Sequence, residues 1–127
     1  MSPIFVFAAV VGGVCAVLAT VPAKAEMSTA EWLLQYRKGN AESRQLVEEI
    51  TRATVNGMGW YAARSKVHLY CEPAKMAFTG SQLLDVLRRS SHESAKIVAG
   101  YPWSMALLLS LEATFPCEPH DRRWAKG

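Results

Sequence analysis

Apolar positions in this chain fall into a continuous block followed by four shorter runs with helical spacing. The block is residues 4–23, reading IFVFAAVVGGVCAVLATVPA without one charged residue. It ends in Ala23-Lys24-Ala25, a small-x-small triplet followed by Glu26. This layout predicts a secretory signal peptide over 1–25, cleaved between Ala25 and Glu26. No Lys or Arg precedes the block, and about 20 apolar residues suffice to span a bilayer, so an uncleaved anchor is the competing expectation. A lipidated Cys15 is disfavoured, because Val14 precedes it and the apolar run continues beyond it.

After residue 26 the apolar spacing turns helical. Ser28-Thr29-Ala30-Glu31 fits a capping box that opens a helix to about Lys38, with Trp32, Leu33 and Tyr36 on one face. Gly39-Asn40 ends it and Asn40 caps the next helix, 41–65. There Leu46, Val47, Ile50, Ala53, Thr54, Gly57, Met58, Tyr61 and Ala62 recur at steps of three and four, which predicts one apolar stripe facing the core. Gly57 and Gly59 lower helix propensity by about 1 kcal/mol each, and close approach of another helix is the expected reason.

Residues 66–78 have no helical period, and Tyr70 is expected to be buried beside Cys71. Thr79-Gly80-Ser81-Gln82 is a second capping-box pattern, opening a helix over about 80–90 with Leu83, Leu84, Val86 and Leu87 inside. Ser90-Ser91 is expected to break it, with a further turn or two over 92–98. The last helix is expected to begin at Pro102 as its first residue and to end at Phe115-Pro116-Cys117. Trp103, Ala106, Leu107, Leu109 and Leu111 make it apolar nearly all round, hence central. No segment alternates apolar and polar residues as a half-buried strand would. The expected fold is all-α: a small bundle of four to five helices over 26–118, closed by one disulfide, with a flexible tail at 119–127.

Composition then narrows the function classes. Lys24 leaves with the leader, so the mature part carries 13 Lys+Arg against 11 Asp+Glu. That balance is too small, and its basic residues too dispersed, for a nucleic-acid partner. Arg88-Arg89 and Arg122-Arg123 are the only basic doublets and read as solvated. Two cysteines remain, and an even count in a short exported chain predicts a Cys71–Cys117 disulfide. His68-x-x-Cys71 and Cys117-x-x-His120 have mirror spacing, so a tetrahedral zinc site competes, although export favours oxidation.

Candidate catalytic groups are sparse. His68, His92 and His120 lie in no catalytic motif, and Glu48-Glu49 are adjacent helix positions that point apart. The expectation is a binding protein rather than an enzyme, with no cofactor and no metal.

Tyr70-Cys71-x-Pro73, Thr79-Gly80-Ser81-Gln82-Leu83, and Ala106 through Phe115-Pro116-Cys117 occur in an order that resembles the Rap/Tai family of type VI secretion immunity proteins. The Gly57/Gly59 helix resembles that family's glycine-bearing helix, and the resemblance covers about residues 30–118. It implies a periplasmic helical protein, often dimeric, that neutralises a peptidoglycan amidase effector by occluding its active site. The partner would be a cell-wall hydrolase, with a second copy of the chain as a further candidate. Trp60, Tyr61, Arg64 and the 66–78 loop are candidate contacts, with core packing the simpler role for Trp60 and Tyr61. The alternatives are an envelope protein with another partner, or an acid-stress chaperone of the HdeA type, also small, helical and closed by one disulfide. Dimerisation is expected through a patch left by the apolar last helix.

Overall fold

A computed structural model describes residues 26–73, 76–94 and 99–119. The expected leader with Ala25, the turn over 95–98, Arg122-Arg123 and the tail from His120 lie outside the described residues. The fold is all-α, and the described residues form four helices: α1 (Thr29–Lys38), α2 (Ala41–Ser65), α3 (Gly80–Glu93) and α4 (Trp103–Thr114). Among the described residues no helix is long and apolar enough to cross a membrane.

Local chemistry sets the helix starts. Ser28 Oγ accepts from the Glu31 amide at 3.3 Å, and the Glu31 carboxylate accepts from the Ser28 amide at 2.9 Å, closing a capping box. Asn40 Oδ1 accepts from the Ser43 amide at 2.9 Å. Thr79 and Gln82 form the second box, at 3.2 and 3.0 Å. Each supplies acceptors to amides that the first turn leaves without intrahelical partners. α4 has no such local cap, because Pro102 is its N-cap residue rather than its first helical residue. Glu26 supplies the acceptor from a distance: its carboxylate takes the Ser104 amide at 3.3 Å and the Ser104 hydroxyl at 3.0 Å.

The core lies where the four helices meet, with α3 and α4 contributing most of it. Leu83, Leu84, Val86 and Leu87 of α3 pack with Trp103, Ala106, Leu107 and Leu111 of α4. α2 contributes Val47 and Val55, and α1 contributes Trp32. The indoles of Trp32 and Trp103 stack with centroids 4.4 Å apart and planes 11° apart. Trp32 Nε1 donates to Thr51 Oγ1 at 3.2 Å, and the Thr51 hydroxyl in turn donates a hydrogen bond to the Val47 carbonyl at 2.7 Å. The other two buried hydroxyls, Thr29 and Ser110, donate to the Tyr101 and Ala106 carbonyls. Buried polar atoms with partners avoid a desolvation penalty of about 1–3 kcal/mol each.

Four expectations need correction. The wide stripe of α2 divides lengthwise: Val47 is buried with Thr51 and Val55, which lay outside the expected stripe, and Thr54, Met58 and Ala62 are half-buried. Leu46, Ile50, Ala53, Gly57 and Tyr61 face solvent. The edge of α2 that meets α1, α3 and α4 is too narrow to bury a face of that width. Gly57 and Gly59 are not approached by another helix, since a Cβ at either would meet no atom within 4 Å. The close approach is at Gly80, where a Cβ would lie 2.6 Å from Glu48 Cβ and collide with the Glu48 carbonyl. α3 runs through Ser90-Ser91 to Glu93, because Ser91 turns its hydroxyl back to the Arg88 carbonyl at 2.7 Å and the Ser90 carbonyl accepts from Ser94. Finally, α4 is not covered all round, as Met105 and Leu109 are exposed.

Gly80→Ala should lower unfolding free energy by about 1–3 kcal/mol, because the added methyl is driven into α2 backbone. Gly59→Ala should raise it by about 0.5–1 kcal/mol, because the methyl meets open space and helix propensity improves. Urea denaturation of both variants measures the contrast. The Glu31 carboxyl is held below its usual range, first by the Ser28 amide and then by the Ser28 hydroxyl. A depressed carboxylate stabilises the fold above its unfolded pKa and loses that contribution as pH falls through the lowered folded value. Glu31→Gln should therefore shrink the stability difference between neutral and acidic pH, read from denaturation midpoints at each.

Candidate functional site

The 66–78 connection is irregular but firmly attached. Lys66 adopts φ 56°, a left-handed turn that ends α2 as its amide donates to the Ala62 carbonyl. Such a φ is uncommon for a residue with a Cβ, and here it redirects the chain back along α2. Cys71 is bonded to Cys117, with Cα atoms 5.0 Å apart. The Cys71 amide donates to the Phe115 carbonyl at 2.9 Å, and the Phe78 and Phe115 rings meet at 5.3 Å. Covalent, polar and aromatic contacts thus fasten the connection to the end of α4. Tyr70 is half-buried against the core, and its hydroxyl pKa is raised by burial and then by the Glu72 charge.

Fastening the connection there leaves a groove of about 550 Å³ between it and α2. Val55 and Leu83 line its depth, Tyr70, Phe78 and Met76 its outer wall, and Trp60 and Arg52 its α2 side. Trp60 is 79% exposed and Tyr61 63%, so core packing of these two side chains is overturned. Trp60 lines the groove, whereas Tyr61 and Arg64 do not. The 66–78 loop supplies much of the wall, so two of the sequence-predicted contact elements are brought together and the others are not.

The groove's polar lining comes from Arg52, Asn56 and Glu72. Arg52 is paired with Glu49 at 2.5 Å, both well exposed, an arrangement worth little in water. Glu48 turns the other way and accepts the Tyr36 hydroxyl at 2.6 Å, which raises the Tyr36 pKa. Neighbouring carboxylates therefore serve separate contacts. No three of His, Cys, Asp and Glu gather as metal donors among the described residues. Both sulfurs of the alternative zinc arrangement are held in the disulfide, and His120 lies outside the described residues. Glu26, the expected first mature residue, is exposed and engaged at the α4 start.

A second groove of about 710 Å³ separates α1 from α3. Its charges are largely committed within the fold. Asp85 binds Arg88 at 2.6 Å and Arg89 at 2.9 Å, and Arg44 lies over the Tyr36 ring at 5.1 Å. The α2 groove differs in carrying a largely exposed indole, Trp60, on its rim, and that anchor marks it as the candidate docking surface. Exposed aromatic anchors beside apolar pockets carry much of the energy of protein interfaces.

Sequence reasoning named Trp60 but missed Val55, Leu83 and Phe78 as its surroundings. Those residues come together only through the disulfide and the α2–α3 packing. The Cys71–Cys117 loop closure is worth about 4 kcal/mol in denatured-chain entropy. Cys71→Ala/Cys117→Ala should lose about that much in urea denaturation, and protease should cut first within 66–78. The chain was compared with protein-family models, curated proteins and solved structures, and none of them matches it.

Proposed function

We propose that this is an exported, periplasmic inhibitor-type binding protein that docks on a cell-wall hydrolase and occludes its cleft, in the manner of type VI secretion immunity proteins. The single observation that carries the reading is Trp60, a large aromatic side chain 79% exposed beside a groove walled by Tyr70, Met76 and Phe78. A soluble domain gains nothing in stability from displaying an indole there, whereas a partner gains a buried anchor. The leader-like residues 1–25 and the disulfide support export to an oxidising compartment. Occlusion asks nothing of the inhibitor's own titratable groups. It needs a surface that keeps its shape on binding, and the disulfide-fastened connection supplies one.

Inhibition of purified peptidoglycan amidases, including those encoded beside this chain's gene, tests the reading. The expected result is stoichiometric inhibition, with Trp60→Ala weakening the complex by about 2 kcal/mol, roughly thirtyfold, at an unchanged thermal midpoint. Failure to inhibit or bind any amidase tested, with the protein correctly folded and oxidised, would falsify this function.

A further inference from the structure

The groove between α1 and α3 shares no lining residue with the one beside Trp60. Its volume of about 710 Å³ lies within the range of small-ligand sites, roughly 300–1,000 Å³. The two helices that wall it run antiparallel. Tyr36, near the end of α1, bonds Glu48, and Gly80, the first residue of α3, packs against that same Glu48. Arg37 therefore lies at the Ser81 end of the groove, and Ala30 at the Ser91 end. From Ser81 to Ser91 the groove follows α3 for about 15 Å.

Its floor is apolar and its rim is basic. Leu84 is buried at the base, Leu33 is half-buried and Leu34 is 40% exposed. Arg37, Arg44 and Arg88 line the same groove, with Asp85 as the one carboxylate of the lining. Asp85 is shared between Arg88 and Arg89, so it does not answer the other two arginines. Glu48, behind the groove, accepts the Tyr36 hydroxyl. Arg37 makes no ion pair among the described residues. Arg44 is steadied by the Tyr36 ring at 5.1 Å. A guanidinium has five N–H donors, so resting on a ring leaves its edge available to an anion. One end of the groove is thus left positive, and it adjoins a leucine surface that water covers poorly.

We propose that this groove is a binding site for a single-chain amphiphile with a carboxylate head, a medium-chain fatty acid. The carboxylate is held between Arg37 and Arg44 at the end where Ser81 adds a hydroxyl. The acyl chain lies over Leu33, Leu34 and Leu84 toward Ala30. Each half of the ligand answers one feature of the site. A neutral lipid would leave the two guanidiniums unmatched, and a small inorganic anion would leave the leucines in water. The assignment does not rest on what docks beside Trp60.

Isothermal titration calorimetry of the intact oxidised protein with decanoate, below its micelle concentration, should show saturable binding of one ligand per chain. Decanol keeps the chain without the charge, and acetate keeps the charge without the chain. Each should bind at least roughly tenfold more weakly. Arg37→Gln and Arg44→Gln should each raise the decanoate dissociation constant roughly tenfold at an unchanged thermal midpoint. Leu34→Asn should raise it roughly fivefold, and its exposure spares the core. Trp60→Ala should leave decanoate binding unchanged, which separates this site from amidase docking. Absence of saturable decanoate binding overturns the proposal. So does decanol that binds as tightly as decanoate, a double Arg37→Gln/Arg44→Gln variant that binds like the unaltered chain, or loss of binding on Trp60→Ala. An acidic peptide that binds through Arg37 and Arg44 where decanoate fails also overturns it, and assigns the groove to a protein.

Discussion

The stack of Trp32 on Trp103 is the contact on which the other helices take their positions. One indole belongs to α1 and the other begins α4, so two elements distant in sequence are locked face to face. The Trp32 N–H then reaches Thr51 in α2, and that hydroxyl is itself satisfied within its own helix. Three helices are therefore referred to one buried point. Aromatic pairs of this kind contribute about 0.5–1.5 kcal/mol beyond their burial. More important than the magnitude is the restriction: a stacked, hydrogen-bonded indole admits few alternative packings. The strand-like clip around it reinforces the placement, with Ser28 bridging Pro102 and the Thr29 amide donating to the Tyr101 carbonyl at 2.9 Å.

With α1, α2 and α4 fixed, the disulfide settles the remaining freedom. It attaches the irregular 66–78 connection to the end of α4, at the opposite end of that helix from the Trp103 stack. Phe78 then meets Phe115, and the connection stands off α2 far enough to leave the groove beside Trp60. A loop of this length without helical structure would ordinarily sample many conformations. Here Cys71 and Phe78 are both held to the end of α4, so the described parts of the connection are restrained at two points. The duties are partly divided: α3 and α4 supply most of the core, while α2 contributes Val47 and Val55 to it and displays Trp60 outward beside the connection.

α2 also shows why hydrophobic periodicity overstates burial. Nine apolar or small residues at steps of three and four describe a broad face, and only its inner edge touches α1, α3 and α4. The outer edge from Leu46 to Tyr61 has the same periodicity but no intramolecular partner. A periodic pattern records that a face is kept apolar; it does not record whether the cover comes from the same chain. The two glycines carried a similar ambiguity. Gly57 and Gly59 looked like sites of close helix contact, yet the contact that excludes a Cβ is at Gly80, which the sequence marked only as the second residue of a capping box.

Local chemistry was decided by the sequence alone. Both capping boxes, the Asn40 cap and the helices follow from short-range spacing and residue type, because each depends on atoms only a few residues apart; the cysteine pairing followed only once Cys15 was assigned to a leader. The helix ends were less secure where serine hydroxyls could fold back on the backbone, as at Ser91. Tertiary structure decided everything that depends on which helix lies beside which: the Trp32–Trp103 stack, the burial of Thr51, the Glu26 cap on α4, the exposure of Trp60 and the division of the α2 face. Those outcomes rest on distances between elements, and no spacing within one element encodes them.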